Sequence, residues 1–456
     1  MKSISKHMTR SLVLTAALLA GCSQPALNEP SETMVAPEAQ TQAQTKNEAV
    51  QIGEAYKTTI SSLKDRPAIL AAFKTIETHR DENNRDLIEL TEIPAPPFGE
   101  ETRAKRVAEM FREAGLTDVM IDAVGNVIGM RPGRSGENTI AIGGHIDTVF
   151  PIETDVTVRR EGDTYIAPGI GDNSRGVIVM LSLIKALKAH NIETEHDLMF
   201  VGNIGEEGLG DLRGIKHLYR DGAPKIDTFI AVDGGNDDRL VYGGVGSYRY
   251  RVTFKGPGGH SWGDFGEANP HHALGRAVTL FAQLAAEVSS SGPKTSFNIG
   301  RIGGGTSINS IPFESWMEVD MRSGNVAKLD EMDAVFKQAM VDGLAAENAA
   351  RTRGDEITVD VKKVGDRPVA NGDANSPLVQ QALAAIESFG LNPQLRISST
   401  DANIPISKGL PAITISRGGK STGAHSFEET WTDQDAHIAI QIALLITLAQ
   451  AGYVAP

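Results

Sequence analysis

The chain has 456 residues, 40% hydrophobic and 22% charged, which places it among ordinary globular proteins and excludes a fibrous or wholly disordered polymer. At roughly 150 residues per domain the length predicts two or three domains, each able to bury a core. The formal net charge of −14, from 44 Lys+Arg against 58 Asp+Glu, argues against a general electrostatic nucleic-acid binder.

Lys2, Lys6 and Arg10 form a basic start, and Leu12 to Ala20 a short apolar run. Spanning a bilayer takes roughly 20 apolar residues, so this segment is read as a targeting leader and set aside from the fold. It ends in Leu19-Ala20-Gly21-Cys22, which resembles the bacterial lipoprotein lipobox; a plain secretory signal is the alternative. Cleavage before Cys22 removes three positive charges and takes the mature charge to −17. The resemblance implies lipid on Cys22 and a membrane-anchored, exported protein. Ser23 lacks the aspartate that holds lipoproteins in the inner membrane, so a Gram-negative source would place it on the outer membrane facing the periplasm. Cys22 is the only cysteine, which rules out an intramolecular disulfide and a cysteine-ligated zinc site. With lipid on it, no thiol remains for nucleophilic chemistry.

From residue 22 to 50 the chain carries Pro25, Pro30 and Pro37 among Ala, Gln, Thr and Glu without apolar periodicity, and reads as a flexible tether. Helical spacing follows around Ala68 to Ile76 and from Arg103 to Ala114. Thr139 to Ile142, Leu198 to Val201 and Thr228 to Val232 read as buried strands, with a helix from Gly176 to Ala189. This alternation predicts a largely parallel sheet covered on both faces. Near Gly243 the rhythm changes. Ser247 to Lys255, Ser296 to Ile302, Ser315 to Met321 and Glu356 to Val364 read as strands, with helices over 270–288 and 326–344. The order βαββαβ is the split βαβ, or ferredoxin-like, arrangement of a separate layer. Leu378 to Phe389, Ala412 to Ser416 and Ala436 to Gln450 return to the earlier style. The predicted organisation is a leader (1–21), a tether (22–50), an α/β domain in two parts (51–243 and 366–456) and an inserted domain (244–365).

Five segments place acids or histidines just after predicted strands, where open α/β sheets bind ligands. In Gly143-Gly144-His145-Ile146-Asp147 the strand period of two puts His145 and Asp147 on one side. Asp147 is thus available for one imidazole N–H while the other nitrogen binds a metal. Gly169 to Gly176 is a glycine-rich turn opening a helix around Asp172; helix capping is the plain alternative, and the GxxxxGK[ST] phosphate loop is absent. Gly205-Glu206-Glu207-Gly208 offers two carboxylates pointing differently, or a solvated loop. Val232-Asp233-Gly234 is another strand-end carboxylate, and Gly423-Ala424-His425 places a histidine in a loop. Together they supply the nitrogen and oxygen ligands suited to zinc and related divalent ions, enough for a pair of them.

This ordered set, with a domain inserted before the last member, resembles the M20 family of di-zinc metallopeptidases over everything after about Val50, and looks nearest its tripeptide-aminopeptidase branch. The resemblance implies a zinc-exopeptidase α/β domain with an inserted lid or dimerisation domain, and two divalent metal ions. One zinc would lie on His145 and Asp233, the other on Glu207 and His425, with Asp172 bridging. Glu206 would be the general base of a metal-activated water, Asp147 the partner of His145, and the Asp172–Asn173 peptide cis. The Gly258-Gly259-His260-Ser261 loop implies that His260 steadies the oxyanion in a neighbouring subunit of a homodimer. Asn309 and Arg322 match substrate-contacting positions, and Arg396 is a weaker candidate for the substrate carboxylate. The residues after Asp172 (Asn173, Ser174, Arg175) depart from the family pattern of Asp or Met followed by Lys. His79, His190, His217, His271, His272 and His437 read as surface or packing residues. The function implied is hydrolysis of short peptides. An N-acyl amino acid deacylase and a non-catalytic peptide-binding lipoprotein are the alternatives.

Overall fold

A computed structural model describes residues 51–455; the leader, Cys22 and the tether lie outside them. Thr139–His145 and Asp197–Asn203 are buried along almost their whole length, as expected of strands flanked by neighbours and covered on both faces. They sit near the centre of an eight-stranded sheet. Its order is Thr117–Ile121, Val127–Arg131, Asp197–Asn203, Thr139–His145, Thr228–Val232, Ala412–Ile415, Arg239–Gly244 and Gln394–Ser398. The four strands from Asp197–Asn203 to Ala412–Ile415 run parallel. Side chains alternate between two cores. Gly176–Ala189 and His437–Ala451 pack against the Thr139–His145 strand. Residues such as Leu212, Ile215, Ile404 and Ile406 cover Ala141, Met199, Val201 and Phe229.

The inserted layer has the predicted order. Its strands Gly246–Lys255, Thr295–Gly304, Glu314–Ser323 and Thr358–Arg367 form an antiparallel sheet in which the first strand lies between the third and the fourth. Helices Pro270–Ser290 and Val326–Ala350 share one face of it. The rings of Tyr250, Phe281 and Phe336 meet there at 4.9 and 5.2 Å. On Glu314–Ser323 every second residue is buried, the alternation of a half-covered sheet.

Several elements carry no clear signal in the sequence. Arg80–Thr91 is helical although six of its twelve residues are charged, because Leu87 and Leu90 reach the core. Thr117–Ile121 is an exposed edge strand, so burial never imposes an apolar alternation on it. A small antiparallel sheet, Lys420–Thr422, Thr430–Thr432, Thr164–Ile166 and Arg159–Glu161, is built from strands of only three residues. It matters for the site, since its first hairpin presents residues 423–429 beside the segment that leads to Asp172. Among the described residues no helix is long and apolar enough to cross a membrane.

Candidate metal centre

Four adjacent parallel strands end on one edge of the large sheet, and each delivers polar side chains there. His145 closes its strand, and Asn203 closes the next and leads to Glu206 and Glu207. Asp233 follows Thr228–Val232, and Arg417 follows Ala412–Ile415 by two residues. The Asp172 turn spans Ile170–Arg175 and its Asp172–Asn173 peptide is cis. Three main-chain N–H groups of this segment, those of Gly169, Gly171 and Asp172, donate to the Glu429 carboxylate at 2.8–3.0 Å. Asn173 donates to the Val232 carbonyl at 2.9 Å, tying the turn to the Asp233 strand. Gly176 is required at the start of the next helix, since a Cβ there would stand 2.6 Å from the same carbonyl. Asp172 is therefore no helix cap; Arg175 precedes the helix and caps nothing with its side chain.

The two oxygens of Asp172 face different partners. Oδ1 lies 3.3 Å from His145 Nε2, and Oδ2 lies 3.4 Å from His425 Nε2. His425 Nε2 is also 3.0 Å from Glu207 Oε1. In each of the triads His145–Asp172–Asp233 and Asp172–Glu207–His425, one ligand atom per residue lies within 4.8 Å of the others. A third triad, His145–Glu206–Glu207, meets the same limit. His145 Nδ1 donates to the Asp147 main-chain carbonyl at 3.0 Å, closer than the Asp147 carboxylate at 3.7 Å. Both the carbonyl and the carboxylate of Asp147, the partner the sequence points to, face this nitrogen, and the carbonyl is the nearer acceptor. With the proton on Nδ1, the Nε2 lone pair faces an anion, an arrangement that calls for a cation between them.

The titration of the site carries the same sign. Burial alone would lower the His145 imidazole, yet the carboxylates of Asp147 and Asp172 beside it and the charge on Asp233 raise it well above its usual value. Hydrogen bonds to Asp172 and Glu207 push His425 up to about 10. Burial opposes ionisation of Asp172, but the Arg417 guanidinium and the two imidazoles hold its carboxyl well below the usual range. Asp233 is raised by burial and by Asp172 beside it. The cluster thus has an excess of buried negative charge that draws protons onto its histidines. A divalent ion on the same nitrogen and oxygen atoms would neutralise that charge in their place, so the residues fit the pair of metals that the sequence suggests.

The other residues divide between this cluster and the lid. The Asp147 carboxylate accepts the main-chain N–H groups of Glu206 and Glu207 at 3.0 and 2.9 Å, so it fixes the loop that carries both. Glu206 is buried, and Arg367 Nη1 donates to its Oε1 at 2.8 Å while Nη2 donates to its carbonyl. Burial lifts the Glu206 carboxyl well above its ordinary value, Arg367 opposes this, and Glu207 adds to it. His260 lies in the short ribbon Gly259–His260 with Ser310–Ile311, and the Ser261 N–H donates to the Asn309 carbonyl at 3.0 Å, so these two lid candidates adjoin one another. Arg322 Nε donates to Asp320 at 2.6 Å, and Asp320 accepts Arg249, which reaches the Gly208 carbonyl beside the glutamates. Arg396 is exposed on an edge strand and bonds only within that strand.

Four residues that matter here are absent from the sequence reading. Arg367 ends the last lid strand, Asn203 ends a central strand, and Arg417 pairs with Asp172 at 3.1 Å and Asp233 at 3.4 Å. Glu429 holds the Asp172 turn. The strand-end rule applied to His145 and Asp233 would have found Asn203 and Arg417. Asp401, buried and raised to about 7 by that burial, accepts the Asn203 amide at 2.7 Å.

A mostly parallel sheet with acids and imidazoles converging at its carboxyl edge, and an inserted antiparallel lid, defines a metallohydrolase architecture. The model of peptidase family M20/M25/M40 matches residues 141–451, and the chain belongs to that family, whose members hydrolyse peptide or amide C–N bonds. Succinyl-diaminopimelate desuccinylase of Corynebacterium glutamicum is 26% identical over 356 residues, 77% of this chain and 92% of the relative. Carboxypeptidase G2 of a Pseudomonas species is 27% identical over 319 residues, 68% of this chain and 73% of the relative. The yeast di-peptidase Dug1p superposes with a TM-score of 0.67 at 14% identity, covering 84% of this chain and 98% of its own. Aminopeptidase PepT of Bacillus cereus gives 0.61 at 21%, covering 80% and 97%. These two likenesses concern the fold.

Proposed function

We propose that the protein is a di-zinc exopeptidase of short peptides in which Glu206 is the general base. The observation that carries this reading is that the two oxygens of Asp172 serve two separate triads, with the buried, raised carboxyl of Glu206 beside them. His145 and Asp233 would hold one ion, Glu207 and His425 the other, and Asp172 both. Such a pair supplies Lewis-acid chemistry, bringing the pKa of water towards 7 and polarising the scissile carbonyl. Glu206 takes the proton of the attacking water as its oxygen adds to the carbonyl carbon, then returns that proton to the nitrogen as the C–N bond breaks. Arg367 keeps one Glu206 oxygen engaged at 2.8 Å, leaving the other for the proton. Arg322 is read as the anchor of the substrate carboxylate, Asn309 as a further substrate contact, and His260 as the group that steadies the oxyanion in a neighbouring subunit's site.

A second reading, removal of an acyl group from an N-acyl amino acid, is favoured by the desuccinylase relative, which is aligned over 92% of its length. Di- and tripeptides assayed beside N-acetyl and N-succinyl amino acids separate the two. Peptides are expected to give the higher kcat/KM, and turnover confined to the N-acyl compounds would replace the peptidase reading.

Lipid on Cys22 is read as the anchor at a membrane. Radiolabelled palmitate should enter the wild-type protein and not Cys22→Ser, and equal labelling of both would remove the anchor. A homodimer formed through the lid is read with it, and sedimentation as a monomer would exclude that.

A further inference from the structure

The loop that carries Glu206 and Glu207 is held partly from the lid. Arg367, at the end of the last lid strand, bonds the Glu206 carboxylate and carbonyl, and the Asp366 N–H donates to the Asp211 carboxylate at 3.0 Å. Arg249, on the neighbouring lid strand, donates through Nη1 to the Gly208 carbonyl. Only this last contact continues to a side chain read as a substrate contact. Arg249 Nε donates to Asp320 Oδ1 at 2.9 Å, and Asp320 Oδ2 accepts Arg322 Nε at 2.6 Å.

The lid sheet imposes this line. Arg249 and Asp320 are direct partners in the register of their strands, and Arg322, two residues beyond Asp320, projects to the same face. Burial opposes ionisation of Asp320, but the Arg322 and Arg249 guanidinium groups hold its carboxyl below its usual range. Arg322 spends only Nε on the pair. Among the described residues its Nη1 and Nη2 have no hydrogen-bond partner, and its side chain is 42% exposed. Those two nitrogens present the fork that a carboxylate accepts. The next rung of the sheet gives the comparison. Arg251 and Arg301 bond the two oxygens of Glu318 at 2.8 and 3.0 Å, the same arrangement on the same face. Both of these arginines turn to the Trp316 ring, and neither hydrogen-bonds the Glu206–Gly208 loop.

A half-exposed arginine keeps much of its rotamer freedom until something holds it. A carboxylate on Nη1 and Nη2 would fix Arg322, and through it Asp320, Arg249 and the carbonyl of the residue after Glu207. Resting on the reading of Arg322 as the anchor, we propose that Asp320 and Arg249 are positioning residues that couple the seating of the substrate carboxylate to the placement of the Glu206–Gly208 loop. The carboxylate then contributes to kcat and not only to KM, since its binding energy is used to set the groups that act in the transition state.

The test is steady-state kinetics of the metal-loaded full chain on Leu-Gly-Gly and its C-terminal amide, with N-acetyl-L-leucine and its amide in their place if turnover is confined to N-acyl compounds. In the wild type the free acid should show the higher kcat by about tenfold, the order of one hydrogen bond to a charged group. Asp320→Asn and Arg249→Lys should each remove that advantage, lowering kcat for the acid about tenfold and for the amide hardly at all, with bound metal unchanged. A lysine at 249 can meet Asp320 or the Gly208 carbonyl, but it lacks the rigid fork that holds both. In Asp320→Asn the KM for the acid should not rise, because loss of the Asp320 charge leaves Arg322 more attractive to an anion. Glu318→Gln, the same kind of change one rung away, should leave both substrates unaffected. Equal losses on acid and amide would reduce Asp320 and Arg249 to structural supports and overturn the proposal. So would a raised KM for the acid without a fall in kcat, or the same pattern from Glu318→Gln. Arg322→Met separates this failure from that of the anchor. A KM raised for the acid alone is expected, and with it a failed relay leaves Arg322 in place. Equal effects of Arg322→Met on acid and amide would remove the anchor and the relay with it.

Discussion

Glu206→Gln is expected to lower turnover about a thousandfold, within the range that general-base catalysis contributes, and to leave bound metal unchanged. Glutamine has nearly the volume of glutamate, and its amide oxygen can still accept Arg367 Nη1, which stands 2.8 Å from Glu206 Oε1. The main-chain N–H of residue 206 keeps its 3.0 Å bond to Asp147, so the loop that carries Glu207 stays in place. What disappears is the ability to accept a proton. Elemental analysis beside the rate measurement makes the result decisive, because Glu206 also belongs to the His145–Glu206–Glu207 triad. Loss of metal in the variant would make Glu206 a ligand. Near-normal turnover with metal retained would remove the base assignment. The existing ion pair favours the base, since a carboxylate already facing a guanidinium has less to gain from a second cation.

Much of this centre is legible in the sequence because one rule, polar residues placed just after a buried strand, covers most of its members. Thr139–His145 and Thr228–Val232 are apolar enough to be seen as strands, and His145 and Asp233 then fall at their ends. The lid is legible for a related reason. Its long amphipathic elements, such as Glu314–Ser323 with every second residue buried, show their period over ten residues. The arginines are a different matter. Arg367 is 3% exposed and Arg417 4%, yet arginine is seldom buried and nothing local in either segment announces that it is. Each is held in the interior by carboxylates remote in sequence, Glu206 for one, Asp172 and Asp233 for the other. Pairing across such distances appears only once the sheet order is known. The same holds for Glu429, whose three N–H partners lie some 260 residues earlier. His425 shows the opposite case. Its positive φ of 67° has no signature beyond the glycine two residues before it, but it marks a loop residue held in an uncommon conformation next to the ligands.

The second large effect concerns the residue that joins the two halves of the site. Asp172→Ala is expected to abolish turnover and to remove both ions, whereas His425→Ala should remove chiefly one. The difference follows from geometry. His425 Nε2 approaches Glu207 and Asp172 only, so its loss leaves the His145–Asp172–Asp233 triad complete. Asp172 gives Oδ1 to that triad and Oδ2 to the other, and its removal reduces each to two residues. It also strips Arg417 of its nearer carboxylate, at 3.1 Å, leaving the guanidinium directed at Asp233 alone. A buried arginine paired with Asp233 then competes with any cation for the carboxylate that remains, which weakens the first site beyond the loss of one ligand. Metal-to-protein ratios measured after gel filtration should therefore fall from about two to about one for His425→Ala, and to near zero for Asp172→Ala. Retention of one tightly held ion by Asp172→Ala would show that the sites fill independently and would overturn the bridging role.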